Sequence, residues 1–166
     1  MGSDMVDLLS KISSYDLFNY LLTGIIFVIL ADKLTCYSFI QQDIAIGLFV
    51  YYFIGLVVSR IGSLVVEPFL RFMAFIKFEP YKNFLEASEK DKKIELLSEV
   101  NNTYRTFCSV FAILFLLKLY GWIQCRFTHL KDWDLTILVA LLLVIFLFAY
   151  RKQTGFLTDR IKDKVG

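Results

Sequence analysis

Four long runs of apolar residues alternate with shorter polar segments along the chain. They cover residues 16–31, 44–66, 104–123 and 135–150, and the last, LTILVALLLVIFLFAY, is the most uniformly apolar. The hydrocarbon core of a bilayer is about 30 Å thick and is crossed by roughly 20 helical residues, or fewer where interfacial side chains anchor the ends. The pattern therefore predicts an all-α polytopic membrane protein with four transmembrane helices.

The composition agrees with this interpretation. Hydrophobic residues make up 57% of the 166 residues, and Phe alone occurs 17 times. The mean hydropathy of +0.60 is high for a soluble domain. The net charge is only +2, so no strong electrostatic field favours nucleic acid, and direct nucleic-acid binding is not expected.

Both ends of the chain carry short amphipathic patterns, in residues 1–15 and 151–166. Apolar side chains recur there with helical spacing, which predicts a juxtamembrane amphipathic helix at each end. Each helix either anchors on the membrane surface or docks on a partner protein. The apolar positions are Met5, Leu8, Leu9 and Ile12 at one end, and Leu157, Ile161 and Val165 at the other.

Residues 67–103 form the largest polar segment and are predicted to be helical. The first part, EPFLRFMAFIKFEP, is too aromatic for a free linker, so it either lies on the membrane surface or packs inside an assembly. The rest is expected to form a helical hairpin or one long polar helix, with Ser88 and Asp91 spaced as in a capping box. A narrow apolar stripe requires a partner within the hairpin or on another chain. It consists of Ile94, Leu97 and Val100.

The distribution of basic residues predicts the orientation. With four spans, the two tails and the 67–105 segment share one side of the membrane and hold thirteen of the 18 Lys and Arg residues, whereas the opposite loops hold three. Basic residues accumulate in cytoplasmic loops. Both termini and the central segment are therefore expected in the cytoplasm.

The three cysteines fall at different levels of this topology. Cys36 and Cys125 lie in the two predicted external loops, and Cys108 lies near the cytoplasmic end of the third span. In an oxidising exterior, Cys36 and Cys125 would be candidates for a disulfide that clamps the loops together. The alternative is two free thiols near the interface, and the sequence leaves both open.

Catalytic or metal chemistry has little support in the residue pattern. His129 is the only histidine, and the cysteines have no CxxC spacing, so a zinc site is not expected. Phosphate-binding loops, nucleophile elbows and HExxH sequences are absent from the chain. We therefore expect a protein that is not an enzyme and needs no cofactor.

Arg60 is a charged residue within the second apolar run. Gly55, Ser59 and Ser63 follow one another at four-residue steps beside it, a ridge of small residues that permits close approach of another helix. One interpretation is that Arg60 extends its head group towards the lipid phosphates. The other is that it lies in a protein interior, where Glu67 of a neighbouring helix is a candidate partner; Glu67 is also spaced to pair with Arg71 at i+4.

Three further polar residues lie in predicted spans. Asn19 and Thr23 are four residues apart on the first span and form a polar stripe suited to an interhelical contact, and Lys118 lies near the external end of the third span. Side chains fill the middle of a bundle of four helices. A pore would therefore have to form between protomers of a symmetric homo-oligomer, with Arg60, Asn19 and Thr23 as candidate lining or contact residues.

The stretch SSYDLFNYLLTGIIFVIL, residues 13–30, resembles the N-terminal span of small membrane proteins found among bacterial antiviral defence genes. In those proteins Pro-Gly often follows the Tyr-Asx-Leu-Phe-Asn-Tyr-Leu-Leu stretch, whereas Thr23 precedes Gly24 here. The plan of four spans with a charged cytoplasmic middle is similar to Kiwa membrane subunits and to CRISPR-associated membrane accessory proteins.

This resemblance implies a component of antiviral defence in the bacterial inner membrane. Such a component forms a pore or senses membrane disturbance, and it is coupled to a cytoplasmic protein partner, here through residues 67–105. The alternative is a non-conducting membrane anchor or scaffold subunit for another protein.

Overall fold

The computed structural model describes the backbone of residues 2–165 and the side chains of residues 17–127 and 129–161. Within these limits all regular structure is helical. The α-helices are α1 (Gly2–Leu34), α2 (Ile44–Ile61), α3 (Glu67–Phe72), α4 (Tyr81–Lys90), α5 (Lys93–Arg126) and α6 (Asp134–Val165), with a π-helical turn at Gly62–Val66 and a 3-10 helix at Thr128–Trp133.

Four of the helical stretches are long and apolar enough to cross a membrane, which confirms the predicted all-α class with four spans. Their limits are Leu17–Leu34, Ile44–Phe72, Lys93–Arg126 and His129–Ile161. The chain is therefore a multi-pass α-helical membrane protein. α1, α5 and α6 are each longer than the apolar run that they contain. The polar residues next to each run belong to the same helix. The apolar positions of the N-terminal tail lie outside the described side chains, and Leu157 and Ile161 of the C-terminal tail are exposed.

The second span begins at the residue that the sequence indicates and changes geometry near its end. The Asp43 carboxylate caps α2 by accepting a hydrogen bond from the Ile46 N–H at 2.9 Å. At the other end, the Glu67 N–H bonds to the Gly62 carbonyl, five residues earlier. Pro68 explains this wider turn, because it has no N–H and its ring would clash with the Leu64 carbonyl in a regular α-helix. The helix then continues as α3.

The central segment contains two turns and two helix starts. The chain leaves α3 through residues 73–80, where Ala74 has a positive φ of 56°, and α4 begins after Pro80. α4 and α5 are separate helices joined at Asp91 and Lys92, so one long polar helix is not formed.

The predicted capping box at Ser88 is wrong. Ser88 lies inside α4, where its hydroxyl donates to the Leu85 carbonyl at 3.0 Å. Asp91 instead caps the start of α5, because its side chain accepts from the Lys93 N–H at 2.9 Å. Of the apolar stripe on α5, Leu97 and Val100 are exposed and Ile94 is half-buried.

The chain divides into two compact units, residues 1–118 and 119–166. The core of the first unit is built by α1, α2 and α5. Its members are Phe27, Val28, Ala31, Val58, Val110 and Leu114. In the second unit, the most apolar window of the fourth span has no residue buried inside the protein.

Candidate functional site

The small residues of α2 contact α1 at backbone distance. A Cβ added to Gly55 would overlap the carbonyl oxygen of Tyr20, and one added to Gly24 would overlap the carbonyl oxygen of Tyr51. The paired contacts show that α1 and α2 run antiparallel. Glycine is required at both positions because two helix backbones occupy the space of a side chain. Gly55 therefore makes its close helix contact with α1 of the same protomer.

The ridge of small residues changes direction after Ser59. Ser59 is buried, but Ser63 lies in the π-helical turn and is half-buried. Gly62 takes its place on the buried face, where an added Cβ would lie 2.6 Å from the Ser109 Oγ of α5. Gly55 of α2 and Gly62 of the π-helical turn therefore permit close packing of the second span against two different helices.

The polar stripe of α1 is buried as well. Asn19 is 7% exposed and Thr23 is fully buried. The Thr23 Oγ1 has no hydrogen-bond partner among the described residues. A buried hydroxyl without a partner costs about 1–3 kcal/mol, so this position is an unsatisfied polar site inside the first unit.

Glu67 forms the centre of a charged cluster at the end of the second span. Its Oε2 lies 2.7 Å from Arg105 Nη1, and its Oε1 lies 3.1 Å from Arg71 Nη2. The i+4 pairing with Arg71 was expected, whereas the pairing with Arg105 was not. Helical spacing gives no signal for Arg105, because that residue is 38 positions away and the contact depends on how α5 packs.

Arg60 takes no part in this cluster. Its side chain is half-buried, and neither of the ion pairs formed by the described side chains includes it. Arg60 lies seven residues before Glu67, which is about 10 Å along a helix. Glu67 of the same protomer already bonds to two arginines. A carboxylate for Arg60 from a neighbouring chain stays a prediction.

Lys118, the other basic residue within a predicted span, is exposed on α5.

A second hydrogen-bonded group lies where α5 ends and α6 begins. The Asp134 carboxylate accepts from the Tyr120 hydroxyl at 2.8 Å and from the Gln124 amide at 2.5 Å. Gln124 is buried. These bonds tie the end of α5 to the start of α6 across the connecting 3-10 helix. The sequence carries no signal for this group, because polar residues next to a loop are common.

The cysteines and the histidine form no composite site in the described part of the chain. Cys36, Cys108 and Cys125 all carry free, exposed thiols. The pairing of Cys36 with Cys125 stays a prediction. His129 is exposed, and the described residues contain no group of three His, Cys, Asp or Glu side chains that could hold a metal ion.

Comparisons with protein-family models, curated proteins and solved structures find no match to this chain. The described residues of this multi-pass membrane protein include the half-buried Arg60 within a span, a buried polar stripe on α1 and an ion-pair cluster near the end of the second span.

Proposed function

We propose that the chain is the subunit of a homo-oligomeric inner-membrane protein of bacterial antiviral defence. It forms a pore or senses membrane disturbance, with both termini in the cytoplasm and residues 67–105 engaging a cytoplasmic partner. The observation that carries the proposal is Arg60, a half-buried cation within a span that has no ion-pair partner among the described side chains.

A charge within a span is costly against lipid and is usually associated with a protein interior or a water-filled path. Packing among the described side chains supplies no carboxylate to Arg60. Assembly of several protomers would supply either a partner group or a shared aqueous path, and a ring of arginines would favour anions. Gly55 already contacts α1 and Ser59 is already buried within the protomer, so the contact between protomers would use other faces.

Chloride efflux from proteoliposomes tests the pore. Wild-type protein should release chloride, and Arg60→Ala should reduce the rate several-fold while the mass of the assembly in detergent is unchanged. Arg60→Lys keeps the charge and should retain most of the flux. Lys77→Ala removes an exposed cation outside the four spans and serves as the matched control. Equal efflux from wild type and Arg60→Ala would refute a conducting role for Arg60.

The defence role is tested in bacteria challenged with phage. Cells that express the wild-type chain together with its genomic neighbours should form fewer plaques than cells that express the Arg60→Ala chain. Equal protection by the two chains would show that defence does not require Arg60.

The alternative function is a non-conducting anchor or scaffold. It is favoured by the exposed apolar side chains Leu96, Leu97 and Val100 at the start of α5, which suit a partner protein. In this case wild-type vesicles would stay tight, and Leu97→Glu would reduce recovery of the partner while Arg60→Ala would not.

A further inference from the structure

The cluster around Glu67 places two guanidinium groups on one carboxylate. The Glu67 side chain is 11% exposed and that of Arg105 is 20% exposed, whereas that of Arg71 is 50% exposed. The cluster therefore has a buried half, made by Glu67 and Arg105, and an accessible half, made by Arg71. Its formal net charge is +1.

The two guanidinium groups carry more donors than Glu67 can accept. Each has five N–H groups, while a carboxylate offers about four acceptor positions. The Nε of Arg105 is buried without any hydrogen-bond partner among the described residues. The cluster is thus short of acceptor oxygens, and a further anion would supply them.

Arg71 is held in position before any ligand arrives. Its Nη2 is bonded to Glu67, and its guanidinium carbon lies 4.2 Å from the centre of the Phe78 ring. Such a contact between a cation and an aromatic face is attractive. A fixed planar guanidinium loses little side-chain entropy when it binds a phosphate with two parallel hydrogen bonds.

The surroundings of Arg71 are suited to the lipid surface. The segment continues the second span, and several large apolar side chains on it are strongly exposed. They are Phe69, Phe72, Met73 and Phe75, with exposed fractions between 58% and 89%. Aromatic side chains next to basic residues at the end of a span are typical of the headgroup region.

We propose that Arg71, positioned by Glu67 and Phe78, binds the phosphate group of an anionic phospholipid, with Arg105 adding its positive charge from the buried side. The exposed aromatic side chains insert among the lipid chains beside it, which favours a lipid over free phosphate as the occupant. This site does not depend on conduction or on the number of protomers, so it stands apart from the proposed pore.

Native mass spectrometry of the full chain, released from mixed phosphatidylglycerol and phosphatidylcholine nanodiscs, tests the site. Wild-type protein should retain phosphatidylglycerol in preference to phosphatidylcholine. Arg71→Gln should lower that retention on the order of tenfold, the effect of losing a charge-assisted pair of hydrogen bonds. Lys77→Gln removes the same charge from an exposed position in the same segment and should retain the lipid as wild type does.

Two further measurements keep the result decisive. Arg71→Lys preserves the charge but not the planar guanidinium group, so this variant should bind phosphatidylglycerol with intermediate strength. Circular dichroism of every variant checks that the helices are intact. If Arg71→Gln and Lys77→Gln lower the retention of phosphatidylglycerol equally, then any positive charge in the segment would be sufficient. That result would overturn a specific site at Arg71. Displacement of the lipid by millimolar inorganic phosphate would assign the occupant as a soluble phosphate and overturn the lipid.

Discussion

The hairpin of α1 and α2 and the helix α6 show opposite relations between hydrophobicity and burial. α1 and α2 contact each other through Gly24 and Gly55 at backbone distance. α6 carries the most apolar window of the chain, with a mean hydropathy of 2.4, and none of that window is buried inside the protein. The most apolar window is therefore not the one that is buried, whereas the α1–α2 contact is made by glycines.

The difference has a physical cause. Lipid tails are as apolar as leucine, so leucine-rich surfaces gain little by leaving lipid for another helix. Small residues let backbones approach closely, and polar groups gain from leaving the hydrocarbon. The buried hydroxyls of Thr106 and Ser109, which both have hydrogen-bond partners, follow this rule.

The largest effect in this comparison is expected from a side chain added at Gly55. Gly55→Val should destabilise the protein by about 3 kcal/mol or more, the upper end of the cost of overpacking, because the added atoms overlap the Tyr20 carbonyl and the backbones have to separate. Thermal unfolding in detergent, followed by circular dichroism, measures the loss.

Gly155 provides the matched control for this prediction. It lies in α6, and an added Cβ there meets no atom within 4 Å. Gly155→Val should therefore change the stability by less than about 1 kcal/mol, since only helix propensity differs. Equal destabilisation by the two substitutions would mean that the α1–α2 contact does not hold the hairpin together.

An intermediate effect is expected from one substitution made in two helices. Leu114 of α5 is 5% exposed, and Leu143 of α6 is 61% exposed. Leu114→Ala should cost about 2 kcal/mol because it leaves a cavity in the core. Leu143→Ala should cost less than about 0.5 kcal/mol in the monomer, as is usual for surface positions.

The same two substitutions test whether α6 contacts another chain in an oligomer. Sedimentation in detergent measures how much of the protein is oligomeric, and thermal unfolding measures the stability of the monomer. If Leu143→Ala lowers the oligomeric fraction but leaves the unfolding of the monomer unchanged, then α6 forms the contact between protomers. A large cost in the monomer would instead show that Leu143 is packed within its own chain.

The spans could be predicted from sequence because hydropathy over about 20 residues is a local property. The start of the second apolar run at residue 44 is also the start of α2, because the N-cap that Asp43 forms depends only on the next three residues. The ion pair between Glu67 and Arg105 could not be predicted, because it depends on the packing of helices far apart in sequence. The capping box at Ser88 failed because Asp91 competes for the same role and caps the later helix start.

The smallest effect is expected at the junction of α5 and α6. Asp134→Ala removes the acceptor for both Tyr120 and Gln124 and should cost about 1 kcal/mol, the net value of a partly buried hydrogen-bonded carboxylate. Asp134→Asn keeps one acceptor oxygen and should recover part of the loss, whereas Asp132→Ala changes an exposed carboxylate two residues away and should change little. Equal melting temperatures for Asp134→Ala and Asp132→Ala would contradict a stabilising junction. A clear difference would show that α6, whose apolar surface contributes little to burial, is attached through polar groups at its first turn.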